Sequence, residues 1–204
     1  MRLKQLEMAL QRLSGFEKPR PSLEQYQTPS PLAARLLYHA LMKGDIRGKT
    51  VCDLGSGTGV LAIGASLLGA APVKGIEIDT GAIEIARRNT ALLGADVEYI
   101  IADVRDATLP NQLGAFDTVI MNPPFGAQNV HADRPFIDCA LAMAPVTYGI
   151  FNAGSAQFIE AYTKGRADIS EKIAGALPIK RTFSFHTKDM QEIEVVILRL
   201  VTKR

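Results

Sequence analysis

Four short apolar runs, each closing on or beside a carboxylate or an amide, dictate what this chain can become. They are "KTVCDL" (49–54), "PVKGIEI" (72–78), "VEYIIAD" (97–103) and "FDTVIMN" (116–122). Runs this short and this apolar read as strands buried on both faces. Helical rhythm separates or flanks them over about 59–69, 80–93, 133–144 and 155–165, and "TYGIFN" (147–152) is a fifth strand. Strands alternating with helices at this spacing predict an α/β fold with a doubly wound, mostly parallel sheet. Two further runs, about 179–186 and 191–201, have no helix between them and are expected to close the sheet as an antiparallel hairpin at or near one edge, making seven strands.

Ahead of this core, residues 3–13 form an amphipathic helix, and a second helix is expected over 31–43, with Pro31 in its first turn and Ser30 as its cap. The segment "GFEKPRPSLEQYQTPSP" (15–31) between them is extended or turning. Glu84 and Arg88 stand four apart and are expected to pair. With 47% hydrophobic residues the chain fills a core, and no apolar run reaches the roughly 18 residues a membrane helix needs. Cys52 and Cys139 lie far apart without metal-ligand spacing and read as buried thiols of a reducing compartment, so a cytoplasmic location is expected and no metal. A formal net charge of +2 means that any nucleic-acid contact comes from a local patch.

The loop "DLGSGTGVLAIG" (53–64) joins the first core strand to its helix. Gly55, Gly57 and Gly59 let a ligand press on bare backbone below a helix N-terminus. The spacing is G-x-G-x-G behind Asp53, not the G-x-G-x-x-G that seats a diphosphate. A carboxylate there repels phosphate and attracts an ammonium or a sulfonium, and S-adenosylmethionine carries both. Glu77, ending the second strand, is placed to accept both ribose hydroxyls, whereas Asp79 is better explained as a helix N-cap. Asp103, ending the third, can accept an adenine amino group beside the Val104 N–H, with Ile78 and Val104 covering the adenine faces.

The fourth strand delivers "MNPPFG" (121–126) to the same rim. The Asn122 amide oxygen and the Pro123 carbonyl can both accept from one exocyclic amine and turn its lone pair toward a methyl donor. Phe125 offers a flat face to an unpaired base, and the two prolines hold the segment rigid. Lys180 and Arg181, with Lys188, Arg134, Lys18 and Arg20, are candidates for an RNA-facing patch. His39, His131 and His186 share no spacing and read as surface or hydrogen-bonded residues.

These motifs, with "FEKP", "LEQYQTPSPLAARLLY" (23–38) and the closing "QEIEVVILRL" (191–200), resemble the methyltransferase-like protein 5 family and its archaeal relatives across nearly the whole chain. The resemblance implies a class I, Rossmann-like methyltransferase that uses S-adenosylmethionine to make N6-methyladenosine in small-subunit ribosomal RNA. It implies one domain over 1–204, with residues 1–45 as N-terminal helices and a cofactor-covering segment, 46–204 as the catalytic core, and no separate target-recognition domain. By position it implies cofactor contacts at Gln25, Thr28, Gly55, Thr58, Val60, Glu77, Asp103 and Val104, with Tyr26 near the pocket, and Asn122-Pro123-Pro124-Phe125 as the catalytic motif. Eukaryotic members of the family work with a small zinc-binding activator that pairs by strand addition. The nearest rival readings are the same chemistry on DNA adenine or on a protein glutamine; a nicotinamide oxidoreductase and a non-catalytic RNA-binding module are more distant.

Overall fold

The computed structural model describes residues 1–126, 131–180 and 190–203. Seven strands form one sheet: β1 Val51–Leu54, β2 Val73–Glu77, β3 Glu98–Ile101, β4 Thr118–Met121, β5 Val146–Asn152, β6 Ala167–Lys180 and β7 Met190–Thr202. Their order is β3-β2-β1-β4-β5-β7-β6. The first five run parallel, and β7 is antiparallel to both β5 and β6. The helices are α1 Leu3–Leu10, α2 Ser30–Met42, α3 Val60–Leu67, α4 Thr80–Leu93, α5 Leu109–Leu113, α6 Arg134–Met143 and α7 Ala156–Tyr162. Residues of α1, α2 and α3 pack with Val51, Ile120 and Tyr148 on one face. Residues of α6 pack with Cys52, Val119 and Met121 on the other. This is the alternation a parallel sheet covered on both sides requires.

The register places the strand ends on a common rim, since Leu54 faces both Ile76 and Met121, and Glu77 faces Ile101. The strand order reverses between β1 and β4, the switch point at which such sheets bind ligands. By the period of two, Asp53 and Asn122 fall on the face of α1–α3.

Several expectations change. The hairpin's first strand begins at Ala167, well before 179, and the part of that run from 181 onward lies outside the described residues. Its inward alternation, Ala167, Ile169, Ile173, Leu177, is hidden by a bulge between Ile169 and Glu171 and by Pro178, which an edge strand tolerates because one side is unpaired. Ser30 is the first residue of α2 and makes no cap hydrogen bond; Pro29 holds the cap position. Asp79 does cap α4, accepting from the Gly81 N–H at 3.0 Å. Arg88 pairs with Glu17 at 2.5 Å, not with Glu84, and so ties α4 to the "FEKP" segment. The short helix α5 carried no periodic signal. Both cysteines are free and buried, and burial pushes the Cys139 thiol up to about 11.

β7 is longer than β5. Its residues 195–201 pair on both sides, while 190–194 pair only with β6, so the β6–β7 ribbon overhangs the carboxyl rim. At the opposite rim, Asp45 accepts from the Tyr148 hydroxyl at 2.6 Å and from Arg199 Nε at 2.9 Å, and Arg199 reaches on to Ser170 at 2.9 Å. Burial, then the hydrogen bond to Asp45, pushes the Tyr148 hydroxyl pKa up.

Gly59, at φ +89°, starts α3 against the back of the sheet. A Cβ there would collide with the Tyr99 hydroxyl and stand 3.2 Å from Ala86 Cβ. Gly59→Ala therefore combines left-handed strain with overpacking, and a loss of about 2–4 kcal/mol is expected in urea unfolding. An unchanged midpoint would mean that the loop relaxes freely.

Candidate active site

A cavity of about 380 Å³ opens at the switch point, inside the range of about 300–1,000 Å³ typical of small-molecule sites. The glycine loop forms its floor. Glu77 holds that loop: its carboxylate accepts the Gly57 N–H at 2.9 Å and the Ile78 and Asp79 N–H groups at 2.9 Å each. Burial raises the Glu77 pKa even against these three donors. Asn89 braces the loop from α4, donating to the carbonyls of Thr58 (2.9 Å) and Ser14 (3.0 Å) and accepting the Ser14 N–H (2.9 Å). Phe16 and Phe136 pack against the loop; a Cβ on Gly57 would meet the first ring, and one on Gly55 the second, each at 2.9 Å.

Asp53 is 1% exposed. One of its oxygens accepts the Ala62 N–H at 2.9 Å, and the other has no hydrogen-bond partner among the described residues. Burial first, and the nearby Glu77 charge, push its carboxyl up to about 8, against the Ala62 bond. Asp103 also lines the cavity but is held by Arg105, whose Nε lies 2.9 and 3.0 Å from its two oxygens and whose second nitrogen lies at 2.6 Å. That guanidinium holds the Asp103 pKa down.

Residues 24–28 line the opening and alternate in what they touch. Gln25 donates to Asp79 at 2.8 Å, on the β2 side. That bond and the Gly81 N–H hold the Asp79 pKa down in spite of burial, the largest single influence, which acts upward. Glu24, Tyr26 and Thr28 turn to the β4 side. The Asn122 amide donates to Thr28 Oγ1 at 2.9 Å, the Tyr26 hydroxyl stands 3.4 Å from Asn122 Oδ1, and the Tyr26 and Phe125 rings lie 5.5 Å apart at 56°. Burial, then the Glu24 charge, pushes the Tyr26 hydroxyl far up, so it stays neutral.

The cavity lining thus brings together Gln25, Tyr26 and Thr28 from the strap, Asp53, Gly55, Gly57, Thr58 and Val60 from β1 and its loop, and Glu77, Ile78, Asp103 and Val104 from β2, β3 and their loops. Asn122 and Pro124 reach it from the end of β4, whereas Gly59, Pro123 and Phe125 are not among the residues that line it. Phe125 is half-buried and packs toward the core. Residues the sequence did not single out also line it: Phe16, Arg105, Pro135 and Phe136. Only Arg105 carried a local signal, two residues after Asp103.

Of the expected basic patch, the described members Arg20 and Arg134 engage groups of the chain itself. Arg20 Nε lies 3.6 Å from Asp79, and Arg134 sits over the Phe158 and Tyr162 rings at 5.0 and 5.3 Å. Lys18 is exposed, Lys180 ends β6, and Arg181, Lys188 and His186 lie outside the described residues. His39 packs edge-on to Tyr148, and His131 stacks on Phe158. Among the described residues no three His, Cys, Asp or Glu side chains converge to hold a metal, and no helix is long and apolar enough to cross a membrane.

A sheet in this order, with acid-tipped strands around a glycine loop at the switch point, is the class I methyltransferase architecture. The methyltransferase small domain family matches residues 31–143. The chain is 35% identical to "rRNA N(6)-adenosine-methyltransferase METTL5" of Danio rerio, covering 98% of each, and 34% identical to its Drosophila melanogaster counterpart, covering 96% and 94%. The crystal structure of PH1948 from Pyrococcus horikoshii superposes with a TM-score of 0.90 at 39% identity, covering 100% of this chain and 99% of that one. The chain belongs to the methyltransferase small domain family and, within it, to the methyltransferase-like protein 5 group. It is a methyltransferase, and its cofactor is S-adenosylmethionine.

The residues present fit that cofactor. A buried carboxylate oxygen with no partner among the described residues, in a cavity edged by further acids, matches a ligand bearing an ammonium and a sulfonium and opposes a diphosphate.

Proposed function

We propose that the chain methylates the N6 amine of adenine in ribosomal RNA, that of the small subunit, in the cytoplasm. The observation that carries this reading is the Asn122 amide, oriented by Thr28 at the lip of the cofactor cavity and followed by two prolines and a phenylalanine. The activity for which these relatives are named supports the same substrate.

Asp53 and Gln25 would hold the methionine end of S-adenosylmethionine, Glu77 the ribose, and Asp103 with the Val104 N–H the adenine, between Ile78 and Val104. Bound there, the cofactor supplies an electrophilic methyl group on sulfur. Everything else falls to the chain. Asn122 gives an N–H to Thr28, and its oxygen, on which the Tyr26 hydroxyl donates at 3.4 Å, keeps a second lone pair for the incoming amine. With the Pro123 carbonyl as second acceptor, both amine hydrogens are engaged and the nitrogen lone pair faces the methyl group. The amine proton leaves after transfer, so no strong base is needed. Phe125 would stack on the target base once the loop is loaded, with Lys180 and Arg181 contacting RNA phosphates. A small zinc-binding activator would add a strand to a free sheet edge, for which β3, with Ile101 57% exposed, is suited.

Tritiated methyl transfer onto separate RNA, DNA and protein fractions tests the substrate. Label is expected in RNA, recovered as N6-methyladenosine; label confined to DNA or protein would overturn the reading.

A further inference from the structure

The loop after Asn122 has an unusual shortage of backbone donors. Pro123 and Pro124 have no N–H, so the first two N–H groups beyond the amide belong to Phe125 and Gly126. Both go to one acceptor, Oε2 of Glu24, at 2.7 and 3.1 Å, across about a hundred residues of chain. Two successive N–H groups closing on a single carboxylate oxygen form a small anion nest. Because the acceptor is charged, these bonds are stronger than neutral ones. Glu24 itself adopts φ +49° and ψ +40°, a left-handed conformation uncommon outside glycine. It follows the 3-10 turn Pro21–Leu23, whose Pro21 carbonyl accepts the Glu24 N–H at 2.9 Å. The backbone is thus bent locally to aim this side chain at the motif.

We propose that Glu24 is a positioning residue for the acceptor motif, holding the Phe125–Gly126 backbone so that Asn122 and the Phe125 ring meet the target base in one fixed arrangement. This rests on the substrate reading above. Glu24 also lines the cavity, but the role assigned to it runs through the loop rather than through the reacting atoms. With Tyr26 against Phe125 and Thr28 on Asn122, alternate residues of the strap grip three successive parts of the motif, while Gln25 between them binds the cofactor side. The strap that covers the donor therefore also sets the acceptor.

The test compares the full chain with E24A, E24D and E24Q. Amide exchange is followed on the segment 121–126, S-adenosylhomocysteine binding by calorimetry, and methyl transfer to RNA. Glutamine keeps an uncharged oxygen at the same reach, whereas aspartate keeps the charge but withdraws it by one methylene. E24A and E24D are expected to speed exchange at Phe125 and Gly126 about tenfold or more and to lower kcat/KM for RNA about 10–100-fold, with cofactor-product affinity within about threefold. E24Q is expected to stay within about fivefold of the parent in all three. Unchanged exchange in E24D overturns the proposal, as does E24Q failing as badly as E24D. A parent chain that methylates no RNA would refute the substrate reading, while the exchange measurement would still decide the role of Glu24.

Discussion

Asn122→Ala is expected to lower kcat by about 10²–10³-fold while S-adenosylhomocysteine affinity stays within about threefold. The magnitude is that of losing one preorganised polar group aimed at the reacting atoms. Its selectivity follows from geometry. Asn122 meets the strap through Thr28 and Tyr26, on the β4 side of the cavity, whereas the acids assigned to the cofactor lie on β1, β2 and the loop after β3. Removing the amide also removes the donor to Thr28, but that hydroxyl oxygen can accept from water instead. Single-turnover methyl transfer alongside calorimetric titration separates the two effects. Retained turnover would show that another group orients the amine, and a parallel loss of cofactor binding would show that Asn122 acts by holding the strap.

The second large effect is a pH dependence of cofactor binding set by Asp53. Its carboxyl titrates near 8 in the free protein, chiefly through burial, so near neutrality it is mostly protonated. A cationic ligand favours the ionised form. If only that form binds, affinity for S-adenosylmethionine rises about 50-fold between pH 6 and pH 8. Above that the ligand's own α-amino group begins to lose its proton, and the profile turns over. Burial raises Glu77 as well, but the ribose hydroxyls assigned to it carry no charge. Asp53→Asn isolates the first group and is expected to flatten most of the rise. The linkage to stability has the opposite sense: an acid raised on folding favours the unfolded chain as pH climbs from its ordinary value near 3.8 to about 8. The contribution of Asp53 to the stability of the free protein should therefore fall across that window, opposed at its acid end by the lowered Asp79 and Asp103, and saturating cofactor should restore it. Calorimetry across pH checks the first claim; a flat profile in the parent chain would remove Asp53 from the cofactor's cationic end.

The strands that build the rim were legible because each is a short apolar run buried on both faces and closed by a polar residue, a pattern that helices and half-exposed strands do not produce. Asp79 was legible as a cap for the same local reason. The strap was not. Residues 24–28 show no periodicity, and their partners lie some 55 residues away at Asp79 and some 95–100 away in the motif, so only family resemblance pointed to Gln25, Tyr26 and Thr28. Asn89 reads as one more polar residue on a helix, yet it makes three hydrogen bonds that join α4, the glycine loop and the chain after α1. The early start of β6 was masked by Glu171, which takes an inward position because His39 and Lys43 of α2 meet it there. Tertiary partners, not local preference, decided each of these.

The β6–β7 ribbon behaves as a cantilever. Its root is clamped where Arg199, Asp45 and Tyr148 meet, and its last five ladder positions before the described residues end have a neighbour on one side only. At about 3.3 Å per residue that is some 17 Å of two-stranded ribbon projecting past the rim where β4 presents Asn122. Two strands alone are barely stable in water, so the projecting positions depend on the clamped root for their order.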